Sequence, residues 1–260
     1  MAFRNWQIGL HIRQHEALAV AVVRGVSGWS LQRWWRMPLA EEIVKDGHIR
    51  EPEQLADVLR PWSRELPLRH HIHLSFPAGR TRQKAFARPA MALREREQAA
   101  WLAGTMAREL DMDPDALRFD YSEDALSSAF NVTAAQSKEV STLLALAKTL
   151  KVKIAAITPD ASALQRLLPF LPPGKQCLVW RGSTQWLWAT CYAWGRKPDE
   201  DIASVAELAG VLSLPVSELT LCGPDGFDPW SAVSVRQPPF PPEGQAFAIA
   251  LGLALGEMRG

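Results

Sequence analysis

Trp6-Gln7-Ile8-Gly9-Leu10-His11-Ile12-Arg13, followed closely by Ala17-Leu18-Ala19-Val20-Ala21-Val22-Val23, decides how this chain is read. Two apolar runs of strand length parted by a few polar residues predict a strand, a tight turn and a second strand returning as a hairpin. The plan comes back late in the chain. Cys177-Leu178-Val179-Trp180-Arg181-Gly182 and Gln185-Trp186-Leu187-Trp188-Ala189-Thr190-Cys191-Tyr192 repeat strand, glycine turn and strand, the internal echo expected of a duplicated fold.

Outward from the first hairpin, Leu31 to Met37 predicts a further strand, and Asp46-Gly47 marks a turn within 43–49. Pro52 opens a helix over 53–65 with Leu55, Val58, Leu59 and Trp62 on one face, and Ile72 to Phe76 is a short strand ended by Pro77. Residues 81–157 read as strand, helix, strand, strand, helix, strand: a small α+β insertion. Its first helix, 94–110, carries Leu102, Met106 and Leu110 as an i, i+4 stripe, and Ser137 is placed to cap its second, 138–150. Thr158-Pro159 predicts the start of a helix over 160–168. Pro169, Pro172, Pro173 and Gly174 then form the clearest linker. Between Tyr192 and a strand at 219–222 there is room for one helix, 202–212, and little else. A proline-rich loop, 238–242, leads into a last helix, apolar enough to be buried. The expected domains are a first lobe core at 1–80, the insertion at 81–157, a connecting helix and linker at 158–175, and a shortened second lobe at 176–260.

Composition narrows the function. Apolar residues at 47% and charged residues at 22% are those of an ordinary soluble globular protein. A net charge of +1 argues against a nucleic-acid-binding surface. Arg80, Arg82, Lys84 and Arg88 cluster, but their alternating spacing reads as the solvated face of a strand. Cys177, Cys191 and Cys222 include no CxxC pair, so a reducing compartment is expected. Arg4 is followed by mixed polar residues rather than a signal-peptide core, and no stretch approaches the roughly 18 apolar residues of a membrane span.

Chemistry-bearing residues are sparse. Ser75, Ser162 and Ser183 lie in no GxSxG context, and Asp120 and Asp160 are single carboxylates in turn or cap contexts. His11 has no second ligand at a suitable spacing. His71 and His73 share a strand face with His70 opposite, an ordinary strand entry. No catalytic residue and no metal-ligating set are expected. Eleven tryptophans are many for this length. Adjacent Trp34 and Trp35 must point to opposite faces of a strand, whereas Trp186 and Trp188 share one. At least one tryptophan in each lobe is therefore expected to be exposed as a docking site.

Several segments together resemble the PilM-like proteins of type IV pilus assembly, relatives of the cell-division protein FtsA and of actin. They are Val44-Lys45-Asp46-Gly47-His48-Ile49, Pro89 at the insertion, Glu109-Leu110-Asp111-Met112 running to Phe119-Asp120-Tyr121, Ala134-Ala135-Gln136-Ser137-Lys138-Glu139, and Ile157-Thr158-Pro159-Asp160-Ala161-Ser162-Ala163-Leu164. The resemblance covers nearly the whole chain. It implies an α/β, actin-like ATPase (ribonuclease H-like, duplicated) fold of two lobes, with the α+β insertion replacing actin's usual outer subdomain and the second outer subdomain truncated. It further implies a cytoplasmic protein held at the inner membrane by the N-terminal tail of a bitopic partner, PilN in pilus systems and HofN in the shorter branch, and working with other assembly proteins. The tail would lie in a groove bordered by Ser75, Phe76, Pro77 and Ala78 and by the helix carrying Trp101 and Leu102.

The resemblance also fixes where a nucleotide would bind, and there the chain departs from the pattern. ATPases of this fold wrap phosphates with glycine-bearing hairpin turns and hold the metal with a carboxylate in each. The degenerate positions are Gly9, His11, Arg13, Trp180, Gly182 and Gly223. His11 and Trp180 stand where the carboxylates belong, Arg13 stands where a glycine belongs, and Cys222-Gly223-Pro224-Asp225-Gly226 matches the third site only in part. Magnesium prefers oxygen donors, so the expectation is a pseudo-ATPase without cofactor. Arg13 and Arg181 are of a type that grips phosphate directly, and the rival reading is an ATP-binding switch in which His11, Arg13 and Gly182 form an altered phosphate site.

Overall fold

The computed structural model describes residues 5–124, 127–236, 238–239 and 243–256, so Arg4 and part of the proline-rich loop lie outside the described residues. The chain divides into two compact units, one made of 1–78 with 146–260 and one of 79–145.

The larger unit opens with β1 (Trp6–Ile12), β2 (Glu16–Gly25) and β3 (Gly28–Pro38), an antiparallel meander. β4 (Val44–Lys45) and β5 (His48–Ile49) form a minimal hairpin at the predicted Asp46-Gly47 turn. α1 (Pro52–Arg64) follows, burying Leu55, Leu59 and Trp62. β6 (His70–Phe76) then pairs parallel with β1.

In the smaller unit, β7 (Thr81–Ala87), β8 (Leu117–Glu123) and β9 (Ala129–Gln136) form a three-stranded sheet ordered β7-β9-β8, with α2 (Glu95–Glu109) against one face. Its core is Leu102, Met106, Ala107, Leu117, Phe130, Val132 and Ala134. The basic cluster at its edge is ion-paired: Arg80 with Glu139, Lys84 with Glu109 and Arg88 with Glu123. α3 (Ser137–Leu150) carries the chain back to the larger unit.

β10 (Ile154–Pro159) departs from the sequence reading, which ends the insertion with it. It pairs parallel with β6, Ile157 opposite Leu74, and completes a sheet ordered β10-β6-β1-β2-β3. Its residues are half-buried or, at Ala155, exposed, as suits a strand at the edge of the sheet. The next helix is also shorter than expected. α4 (Asp160–Ala163) gives way to a 3-10 segment, Leu164–Phe170. Leu164, Leu167 and Phe170 recur every third residue, the spacing that lines one edge of a three-residue turn, and the first two are fully buried.

β11 (Cys177–Arg181), β12 (Gln185–Ala189), β13 (Trp194–Pro198) and β14 (Leu219–Leu221) make the second sheet, ordered β13-β12-β11-β14. Its antiparallel meander with one parallel strand added beside the first repeats the β3-β2-β1-β6 plan. α5 (Val205–Leu212) covers one face and is capped by Ser204, whose hydroxyl accepts from the Glu207 N–H at 3.2 Å. β13 was not expected, and it fills space read as nearly empty. α6 (Gly244–Leu255) is apolar all round and buried from Phe247 to Leu255, as a helix inside a core must be. It packs on β1 and β2 and on α4, while the 3-10 segment packs on β11 and β12.

All eleven tryptophans are buried or half-buried, which corrects the expectation of an exposed one in each lobe. Trp35 sits between Trp6, tilted at 50°, and Trp62, edge-on at 85°, and Trp34 meets Phe247 edge-on at 5.5 Å. Trp186 and Trp188 do share a face, both against the α5 cluster, and Leu187 takes the other.

Candidate functional site

Alternation along β1 places Gly9 and His11 on one face, and Arg13 follows just beyond the strand's end. Gly9 lies mid-strand under α6, where an added Cβ would stand 1.8 Å from the Ala250 carbonyl oxygen. Its lack of a side chain serves helix–sheet approach, and it is no part of the turn. His11 is buried, and its ring meets that of Trp180 at 6.1 Å and 71°. His11 and Trp180, one from each hairpin, are thus in edge-to-face contact.

Arg13 closes the cluster. Its guanidinium carbon lies 5.3 Å from the Trp180 ring centroid, and its Nη1 donates to Glu16 at 3.0 Å. Glu16 also accepts from Arg36 Nε, so its charge is shared by two arginines. Trp180 donates through Nε1 to the Gln245 carbonyl at 2.9 Å, and its ring lies 2.9 Å from where a Gly182 Cβ would be. Gly223 faces the Gln245 side-chain oxygen at 3.3 Å from its own absent Cβ. His11, Arg13, Trp180 and Gly182 are therefore gathered about one indole, with Gly223 beside the next residue along.

The electrostatics match the packing. Burial first, and the Arg13 charge second, push His11 from 6.5 down to about 3, so its ring is neutral near pH 7. Its Nδ1 has no hydrogen-bond partner among the described residues. Arg13 is also shifted down, chiefly by burial. A neutral imidazole, an indole and a guanidinium offer no oxygen donor, and this set does not fit a magnesium ion. Among the described residues no group of three or more His, Cys, Asp or Glu is arranged to hold a metal.

Asp160 is the buried carboxylate nearest in kind to a functional one. Its Oδ1 accepts from the Ala78 N–H at 2.9 Å and the Ala161 N–H at 2.7 Å, tying the end of β6 to α4. Burial raises it from 3.8 to about 6 against the pull of those hydrogen bonds. Thr158-Pro159 was read as cap and first-turn proline, but Pro159 stands at the N-cap and the helix begins at Asp160; the bond to Ala78, 82 residues away, had no local signal.

The predicted groove residues differ in exposure. Ser75, Phe76 and Ala78 are buried, and Ser75 Oγ accepts from the Ile12 N–H at 3.3 Å. Leu102 is 0% exposed, a core residue of the smaller unit with no surface of its own. Pro77 and Trp101 are half-buried. The histidine strand entry is engaged locally: His70 contacts the Pro67 carbonyl and the Lys153 N–H, His71 meets Asn5 and His73 meets Gln7.

DNA utilization protein HofM of Escherichia coli (strain K12) is 66% identical over 257 residues, 99% of each chain. The chain belongs to the HofM family. No protein-family model matches the sequence. Among solved structures, the PilM-PilN type IV pilus biogenesis complex superposes with a TM-score of 0.73 at 16% identity, covering 95% of this chain and 97% of that one. The cytoplasmic domain of EpsL, an inner membrane component of the type II secretion system of Vibrio cholerae, gives 0.57 at 11% identity over 95% and 92%. At such identities these likenesses establish the fold. The HofM-family chain has the actin-like, duplicated α/β plan that its two matching sheets display.

Proposed function

We propose that this protein is a cytoplasmic scaffold of a type IV pilus-like assembly or DNA-uptake apparatus, performing no chemistry itself. It holds the N-terminal cytoplasmic tail of a HofN/PilN-like inner-membrane protein and so works peripheral to that membrane. Among the described residues no helix is long and apolar enough to cross a membrane, and an anchor supplied by a partner answers that need. The PilM-PilN complex shares this fold, which favours a role in binding a PilN-like partner. Pro77 and Trp101, each half-buried within its own unit, are the members of the expected set with surface to offer. DNA utilization is then a property of the whole apparatus; with a net charge of +1 the isolated protein binds no DNA.

The observation that carries the non-catalytic reading is Trp180 packed against His11 and Arg13. The space and charge that two metal-binding carboxylates require are taken by rings and a guanidinium. Two titrations test the reading. Calorimetry with a synthetic peptide of a HofN-like N-terminus is expected to give saturable one-to-one binding, and failure of any such peptide to bind removes the scaffold reading. Melting with millimolar Mg²⁺-ATP is expected to leave the midpoint unmoved, because only a ligand of the native state raises it; a clear rise revives the ATP-binding switch.

A further inference from the structure

The sheet of the smaller unit has two open edges, β7 and β8, because β9 lies between them and among the described residues no further strand joins either side. Hydrogen bonding fixes which backbone groups those edges present. The Arg88 N–H donates to the Ser128 carbonyl at 3.1 Å and the Asp124 N–H to the Ala129 carbonyl at 2.9 Å. In an antiparallel ladder that parity repeats, so the even-numbered residues of both edge strands bond β9. On β8 the N–H and C=O groups of Leu117, Phe119, Tyr121 and Glu123 therefore point outward. The Leu117 N–H is taken by the Pro114 carbonyl, and the Tyr121 N–H by Asp120 Oδ1 at 2.9 Å. Among the described residues nothing covers Phe119 in this way. An open strand is a template for another chain, and natural sheets usually break it with a bulge or a proline. β8 runs for seven residues in unshifted register and contains neither.

Charge separates the two edges. A second copy would pair antiparallel about a two-fold axis, setting the same strand against itself. On β7, axes at Gln83, Lys84 or Ala85 oppose Arg82 to Lys84, Lys84 to Lys84, or Arg82 to Arg88, cation against cation each time. On β8, an axis at Phe119 sets Arg118 opposite Asp120 of the second copy, twice by symmetry. Phe119 then faces Phe119, and Leu117 faces Tyr121. Moving the axis to Arg118 or to Asp120 opposes like charges, so of these three registers charge selects the one centred on Phe119. Arg118 and Asp120 are exposed, on the face away from the core that Leu117 enters. Arg118 has no ion pair among the described residues, whereas Arg80, Lys84 and Arg88 each have one. Pairing would also pass the Tyr121 N–H to the Leu117 carbonyl of the second copy, releasing Asp120 to meet Arg118. The Phe119 and Tyr121 rings, half-buried against the unit's own core, would gain cover from their counterparts.

We propose that this protein self-associates through β8, two copies joining their smaller sheets edge to edge about a two-fold axis at Phe119. The paired stretch, Leu117 to Tyr121, is short, so the dimer belongs to the weak class formed by small interfaces. The proposal is independent of tail binding and of the hairpin site. Sedimentation velocity of the full chain, loaded from micromolar to millimolar, is expected to show a monomer–dimer equilibrium. Arg118→Asp and Asp120→Arg change exposed residues and each sets like charges opposite one another, so each should weaken the dimer about tenfold. Both substitutions in one chain should restore it, because the exchange recreates the same opposed pairs in the same register. A chain that stays monomeric at millimolar loading overturns the proposal. So does a dimer that neither single substitution weakens, or one that the double exchange fails to restore, since either places the contact elsewhere.

Discussion

The guanidinium of Arg13 lies over the indole of Trp180, 5.3 Å from its centroid, joining the turn of one hairpin to the matching strand of its structural repeat. A cation over a tryptophan face is attracted by the ring quadrupole, more strongly as water is excluded. The contact ties the two hairpins together across the core.

Trp180→Ala is accordingly expected to cost about 3–5 kcal/mol, the range for removing a large buried aromatic ring. Trp180 touches His11, Arg13 and Gln245, so collapse around the vacated space is limited. Urea denaturation of the variant against wild type measures the loss. A change below about 1 kcal/mol would mean that the indole is not the keystone of this cluster.

Two glycines should respond in opposite senses to alanine. Gly9→Ala drives a methyl into the Ala250 carbonyl at 1.8 Å and must push α6 from its sheet, so loss of soluble folded protein or several kcal/mol of stability is expected. Gly104, within α2, has nothing within 4 Å of a new Cβ. Gly104→Ala should gain about 0.5–1 kcal/mol from helix propensity. Melting midpoints of the pair separate a packing glycine from a merely tolerated one.

How much of this was legible follows from the range of the interactions involved. The first hairpin and α6 declare themselves locally, through apolar runs whose lengths suit one strand or one buried helix. β10 was visible as a strand, but its place beside β6 depends on which distant edge is open, and no local pattern carries that. β13 was hidden because Trp194-Gly195-Arg196-Lys197-Pro198 mixes glycine, charge and proline, a composition tolerated at a sheet edge where one side needs no partner. His11 and Trp180 were each visible only as residues of their own hairpins. That they would touch one another depends on two hairpins meeting across a core, which only the folded chain displays.

Asp160 offers a test of whether its hydrogen bonds or its charge matter. Asp160→Ala strands the Ala78 and Ala161 N–H groups in a buried site and should cost about 1–3 kcal/mol for each group left unpaired. Asp160→Asn keeps an acceptor oxygen for both and should remain close to wild type at pH 7 by chemical denaturation. Equal losses for the two substitutions would deny the acceptor role.

The same residue and His11 make opposed contributions to acid stability. His11 holds a folded value near 3 against 6.5 unfolded, so between those limits the unfolded chain binds the extra proton. Stability from this group is fully present above 6.5 and falls as pH drops, by up to about 1.4 kcal/mol per pH unit. Asp160 is raised from 3.8 to about 6, so in that window the folded chain binds the extra proton, and stability rises as pH drops with the same limiting slope. From pH 6 to 4 the two slopes offset in the wild type. Asp160→Asn removes one of them and should become progressively less stable relative to wild type over that interval, whereas His11→Phe should become progressively more stable relative to wild type. Taking each variant as a difference from wild type cancels the titrations they share. Parallel pH profiles for all three proteins would show that neither buried group holds its shifted value, and with it that water reaches the Trp180 cluster.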